Sequence, residues 1–160
     1  MKQETILAVL RITMGFIFFW AGIDKVFGLG FATTSDQSWL NGVSPTAGFL
    51  SFGTEGVFSS VFQSLAGSTV IDYLFMLGLF SVGLALLLGI GVKIAGYTGS
   101  LLMLLIYLSL FPPENNPFVD EHIVYIVVLL LCTTIPVGQT FGFGGWWSKT
   151  KLVKRLPFLA

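Results

Sequence analysis

The amino-acid sequence predicts an all-α integral membrane protein, a four-helix bundle with short interfacial helices in the outer loop between helices one and two. Three observations lead there. Hydrophobic residues fill 54% of the 160 positions, charged residues only 10%, and mean hydropathy is +0.88. A soluble domain carries roughly 25% charged residues, because water must wet its surface. The apolar residues gather into four runs, each close to the ~20 residues a helix needs to cross the hydrocarbon core. Drawing four spans also sorts the charges by side.

The spans fall at about 5–27, 70–90, 94–110 and 122–137 of a single domain, residues 1–160. The outer loop covers 28–68 and a tail runs from 146 to 160. The first run follows Lys2 but is too long for a signal-peptide apolar region and lacks a small-residue cleavage site, so it reads as a span. With the termini and the turn between spans two and three on one side, that side holds Lys2, Arg11, Lys93, Lys149, Lys151, Lys154 and Arg155. Its single acid is Glu4. The opposite side holds Asp24, Asp36, Glu55, Asp72, Glu114, Asp120 and Glu121, with Lys25 its only base. The basic side is cytoplasmic by the positive-inside rule, which places both termini there.

Local signals punctuate these spans. Thr69-Val70-Ile71-Asp72 fits a capping box opening span two, and Asn116-Pro117 fits an N-cap followed by proline near span four. Gly89 to Lys93 is a short turn, so spans two and three form an antiparallel hairpin. Gly15 and Gly22 in span one, and Ala95 and Gly99 in span three, provide small faces for close helix contact. Within the outer loop Ser44-Pro45 opens a helix, and apolar residues from Phe49 to Leu65 recur at helical spacing, broken by Gly53 and Gly56. They predict two short amphipathic helices, serving as a lid over the bundle or as a shield for its helix ends. Trp146-Trp147 before the basic stretch 149–155 reads as a membrane-surface anchor.

Composition excludes some chemistry. Net charge is zero, which removes bulk attraction to nucleic acid. The single cysteine, Cys132, has no partner for thiol–disulfide exchange. Phosphate-binding loops, zinc motifs, dinucleotide fingerprints and nucleophile elbows are missing from the sequence. One histidine with carboxylates is too thin a set for a metal site.

The polar groups that remain lie at the outer ends of spans one and four. Trp20 and Asp24 share a helix face, and Lys25 follows. Asn116, Asp120, Glu121 and His122 precede or open span four, with Tyr125 one turn on. Charge inside a membrane is costly and calls for a partner. The expected pairs are Lys25 with Asp120 or Glu121, and Asp24 with His122. Two readings stand: a staple tying span one to span four, or a site that binds a polar ligand and moves protons through His122. Arg11, two turns into span one, either snorkels to the headgroups or faces the bundle and binds an anion or carboxylate.

Leu10-Arg11 leading into Phe19-Trp20-Ala21-Gly22-Ile23-Asp24-Lys25-Val26-Phe27-Gly28 resembles the first-helix signature of the DoxX family. The stretch from Pro113 to Tyr125 resembles its last-helix motif, and residues 30–67 look like the DoxD-like members. The resemblance covers nearly the whole chain. It implies a multi-pass protein of a prokaryotic plasma membrane, a membrane subunit in quinone-linked oxidation of thiosulfate or related sulfur compounds. It implies a quinone as the cofactor and a DoxA-like second redox subunit as partner; the bilayer and a second copy of the chain are further expected partners. On this reading Lys25 attracts the sulfur anion, and His122 with Asp24 or Asp120 handles protons. Trp20 and Tyr125 stack the quinone, with Arg11, Asn116 and Glu121 as further binding residues. The alternatives are a scaffold subunit and a small-molecule carrier. A carrier would favour an inverted repeat, which the sequence does not display.

Overall fold

The computed structural model describes residues 2–159. Its long helices are α1 (Gln3–Phe27), α3 (Thr69–Leu88), α4 (Val92–Ser109) and α5 (Glu121–Thr134), with short helices α2 (Ser59–Gln63), α6 (Gly144–Trp147) and α7 (Lys151–Arg155). Among the described residues there is no strand. Helices α1, α3 and α4 are long and apolar enough to cross a membrane. They are also apolar on the outside: Phe16, Leu74, Leu77 and Leu101 are all more than half exposed. Apolar residues on both faces of a helix suit a lipid surround, not water.

α1 packs on α3, α3 on α4, α4 on α5, and α1 also meets α5. The α1–α3 seam is close because small residues line it. A Cβ added at Gly15 would stand 2.8 Å from the Leu87 nitrogen, and one at Gly83 would stand 2.6 Å from the Phe19 nitrogen. Gly22 lies under the Phe80 ring. At the second seam Gly96 lies against the Thr133 methyl group and the Leu129 carbonyl, and Gly99 meets Val82 and Leu129. Met14, Phe18, Met76, Leu79, Val82, Leu86 and Leu129 fill the space between. Without water to expel, such shape fit is the main attraction between helices in lipid.

The helix ends define a basic end, with the termini and the 89–91 turn, and an acidic end, with the 28–68 and 110–120 connections. α1 stops at Gly28, whose φ of 64° is left-handed and whose N–H bonds the Asp24 carbonyl at 2.7 Å. α5 starts with Asp120 as its N-cap, its carboxylate accepting from the His122 and Ile123 N–H groups.

Several local expectations are corrected. The box at 69–72 does not form: Ser68 is the N-cap without a side-chain bond, and Asp72 turns to the outer loop instead. Asn116 does not cap span four. Its side chain accepts from Phe118 and Val119 N–H, closing a turn over 116–119 ahead of the helix. α5 ends at Thr134, not near 137, because Pro136 cannot continue it and Ile135 is already extended. The loop between α1 and α3 holds four short helical pieces where two were expected: 35–37, 39–41, 49–53 and 56–63, the last two parted at Thr54–Glu55.

Candidate functional site

Three carboxylates and one guanidinium in the apolar bundle are the chemically notable groups, and each is held differently. Arg11 is fully buried. Its Nη1 donates to the carbonyls of Leu86 and Leu87, the latter at 3.2 Å. Its Nη2 donates to Thr140 and Phe141 at 3.1 and 2.9 Å. The first two acceptors belong to the last turn of α3, whose carbonyls have no partner within the helix. The other two lie on the chain that follows α5. Arg11 therefore neither snorkels nor faces an acid: it rivets three chain segments through main-chain oxygens. The planar fork of guanidinium donors suits this role.

At the acidic end Asp72 is buried, its Oδ1 accepting from Ser44 Oγ at 2.7 Å and Thr46 Oγ1 at 2.5 Å. Ser44 Oγ in turn accepts from the Ala47 N–H at 3.0 Å and starts the helical turn there. Trp39 lies edge-on to Tyr73 beside this junction. Further along the same loop, Glu55 and Val57 N–H groups bond the carbonyls of Ser109 and Phe111. The loop is thus pinned to both α3 and the end of α4.

His122 Nδ1 lies 2.8 Å from Asp120 Oδ2, the only acid–base side-chain pair within 4.0 Å among the described residues. Neither expected cross-helix pair is present: Asp24 does not reach His122, and Lys25 reaches neither Asp120 nor Glu121. The Lys25 ammonium instead stands 5.9 Å from the centre of the Phe75 ring, a cation–π contact. Asp120, Glu121 and His122 bring ligand atoms within 4.8 Å of one another. Asp120 is already engaged by the imidazole and two N–H groups, and Glu121 is exposed. Asn116 is exposed and serves its own turn, while Tyr125 is partly buried against the core.

Asp24 stands apart. It is 1% exposed, Oδ1 receives only a long 3.4 Å bond from the Phe31 N–H, and Oδ2 is buried with no partner. One turn back on its face is Trp20, stacked on Phe16 at 5.7 Å and edge-on to Phe31 at 5.2 Å. An unpaired buried carboxylate oxygen is costly and calls for a proton or an outside donor.

Sequence reasoning missed the Asp72–Ser44–Thr46 cluster. An acid in the first turn of an apolar span was its signal, but its partners lie 26 and 28 positions away, beyond any helical spacing. It also missed two concavities at the basic end. A cavity of about 210 Å³ runs beneath Gly89, Cys132 and Trp147, and an open groove of about 500 Å³ lies between Tyr97 and Phe158. Asp24 and His122 line neither.

Three helices of membrane-crossing length, lipid-like outer faces and buried charge define the build of a helical membrane protein. No family model, curated protein or solved structure matches the chain.

Proposed function

We propose that the chain is a four-span membrane subunit of the DoxX/DoxD-like kind, serving quinone-linked oxidation of a sulfur compound. Its basic end would face the cytoplasm and its acidic end the outside. The observation that carries this is the unpartnered Oδ2 of Asp24 beside a lipid-facing aromatic shelf.

The fourth crossing needs support, because α5 has 14 residues. At 1.5 Å per residue it rises about 21 Å, short of the ~30 Å hydrocarbon core. The chain from 135 to 143 supplies the rest. Non-helical backbone at membrane depth must be satisfied by protein. Here Arg11 bonds Thr140 and Phe141, and the Phe143 N–H bonds the Leu88 carbonyl at 2.8 Å.

The residues present fit a quinone at the acidic end. Phe16 is 54% exposed and Trp20 stacks on it, so the aromatic pair borders the lipid. A bound quinone supplies a two-electron, two-proton acceptor. Asp24 Oδ2, with no competing donor among the described residues, is free to hold or pass a proton there. The Phe31 N–H keeps Oδ1 turned toward the loop. Lys25 is half-buried and without an acid within salt-bridge reach, so its charge is left for an anion arriving from outside.

The test is quinone reduction by purified protein in nanodiscs with a panel of sulfur donors, comparing Asp24→Asn, Lys25→Ala and His122→Ala. Loss of a proton-transfer group costs roughly 10²-fold or more in turnover. Asp24→Asn should lose that much while keeping its melting temperature. Folded wild type that turns over no donor would sink the enzymatic reading. A scaffold subunit is the second reading, favoured because Arg11, Asp72 and Asp120 all serve structural bonds. Unfolding by Asp24→Asn would support it.

A further inference from the structure

We infer that the basic end carries a built site for an anionic phospholipid, with the headgroup phosphate on Lys93 and an acyl chain along Ile94 and Tyr97. The inference rests on the membrane placement of the chain but not on the quinone reading.

The site is made by the tail folding back. The Trp147 indole N–H donates to the Leu159 carbonyl at 2.6 Å, and Thr150 caps α7 through the Val153 N–H. These bonds hold the turn Pro157–Leu159 against α4. Pro157 and Phe158 thereby become one wall of the groove, opposite Ile94 and Tyr97. The groove and the neighbouring cavity share two residues, Lys93 and Thr133. Ser148 and Gln139 add polar groups on the cavity side. Both concavities are mainly apolar and Lys93 stands at their shared border, so a phosphate on Lys93 leaves an acyl chain to lie against Ile94, Tyr97, Pro157 and Phe158.

Charge complementarity selects an anionic lipid. Among the described residues Lys93, Lys149, Lys151, Lys154 and Arg155 have no carboxylate within 4.0 Å. The only acid assigned to this end is Glu4. A cluster of four to eight basic residues next to a membrane span attracts anionic headgroups, each contributing near the surface. What distinguishes Lys93 from the tail lysines is position: it alone of these five borders both concavities. A diffuse basic anchor would treat the five alike.

The experiment is native mass spectrometry of the full chain in detergent, titrated with phosphatidylglycerol or with phosphatidylcholine of the same chain length. Wild type should retain one phosphatidylglycerol well ahead of any phosphatidylcholine. Lys93→Gln should weaken that first lipid about fivefold, whereas Lys2→Gln, the same charge change at the same end, should leave it unchanged. Phe158→Ala should weaken both lipids by shortening the groove. Inorganic phosphate at millimolar concentration should not displace the lipid, because it lacks the chain. Equal retention of the two lipids would overturn the inference, as would equal losses in Lys93→Gln and Lys2→Gln. Displacement by phosphate would overturn the lipid in favour of a free phosphate ligand. Melting of each variant in phosphatidylcholine nanodiscs separates a binding loss from a folding loss.

Discussion

Replacing Arg11 by methionine should be among the most damaging single changes in the bundle. The stem volume is largely kept, so the effect reads the guanidinium and not a cavity. Four main-chain carbonyls, of Leu86, Leu87, Thr140 and Phe141, lose their donors. A buried polar group left unpaired costs roughly 1–3 kcal/mol. Taking the low end for each acceptor gives about 4 kcal/mol, a large part of the 5–15 kcal/mol of a typical domain. Applying the size scaling of soluble domains, the midpoint should fall by roughly 8–16 °C. Cys132 makes a convenient reporter, being the only cysteine and 2% exposed. A thiol-reactive fluorophore should label it only as the bundle opens, in a thermal ramp in mild detergent. Arg11→Lys should lie between the two, since an ammonium cannot fork to both pairs of carbonyls. An Arg11→Met midpoint within about 3 °C of wild type would show that the carbonyls find other partners and would refute the rivet.

Two further outcomes follow from the packing. Asp72→Ala should free the loop around Ser44 and Thr46, because hydrogen bonds to a charged group contribute roughly 1.5–3 kcal/mol each. Limited proteolysis should then cut within 31–54 faster, while Asp72→Asn, which keeps an acceptor oxygen, should be cut more slowly than Asp72→Ala; equal cutting of wild type and Asp72→Ala would count against the latch. Gly83→Ala should destabilise by about 1–3 kcal/mol, since its Cβ meets the Phe19 main chain, which cannot swing aside. Gly78→Ala is the control, its Cβ meeting only Leu102 Cδ2 at 3.4 Å. Equal melting of the two variants would mean the α1–α3 seam is looser than drawn.

What the sequence made legible was set by local physics. Runs of apolar residues marked α1, α3 and α4 to within about three residues, because length and hydropathy are properties of a segment alone. Gly15 and Gly22 were readable as a contact face for the same reason. Gly83, which meets the Phe19 main chain, was not, since it joins no small-residue pair on its own helix. Partners were hidden throughout. Arg11 could be seen as a buried charge, but its acceptors lie 75 to 130 positions away and are main-chain oxygens, which no residue type announces. The proximity of Asp120 and His122 was visible, yet the sequence pointed both across to α1. Their bond is local, because an N-cap carboxylate already faces the first turn of its own helix.

That contrast bears on Asp24. The protein contains its own comparison for what a buried charge receives when the fold is built around it. Arg11 has four acceptors for its two terminal nitrogens although its Nε is buried without a partner, Asp72 has two hydroxyl donors on Oδ1, and Asp120 has an imidazole and two N–H groups. Asp24 is as deeply buried as any of them and has one long bond from Phe31. The chain is well able to supply donors, as the serine and threonine delivered to Asp72 demonstrate. A purely structural carboxylate would be expected to attract a comparable shell, because each missing bond leaves a cost uncompensated. A group that must take up and release a proton, or meet a donor arriving from lipid, needs an oxygen left open. The asymmetry between Asp72 and Asp24 is therefore the reason to measure both in one experiment. Asp72→Asn should alter the loop and spare turnover, and Asp24→Asn should spare the loop and alter turnover. A pair of variants that behaved alike would leave no ground for separating a latch from a site.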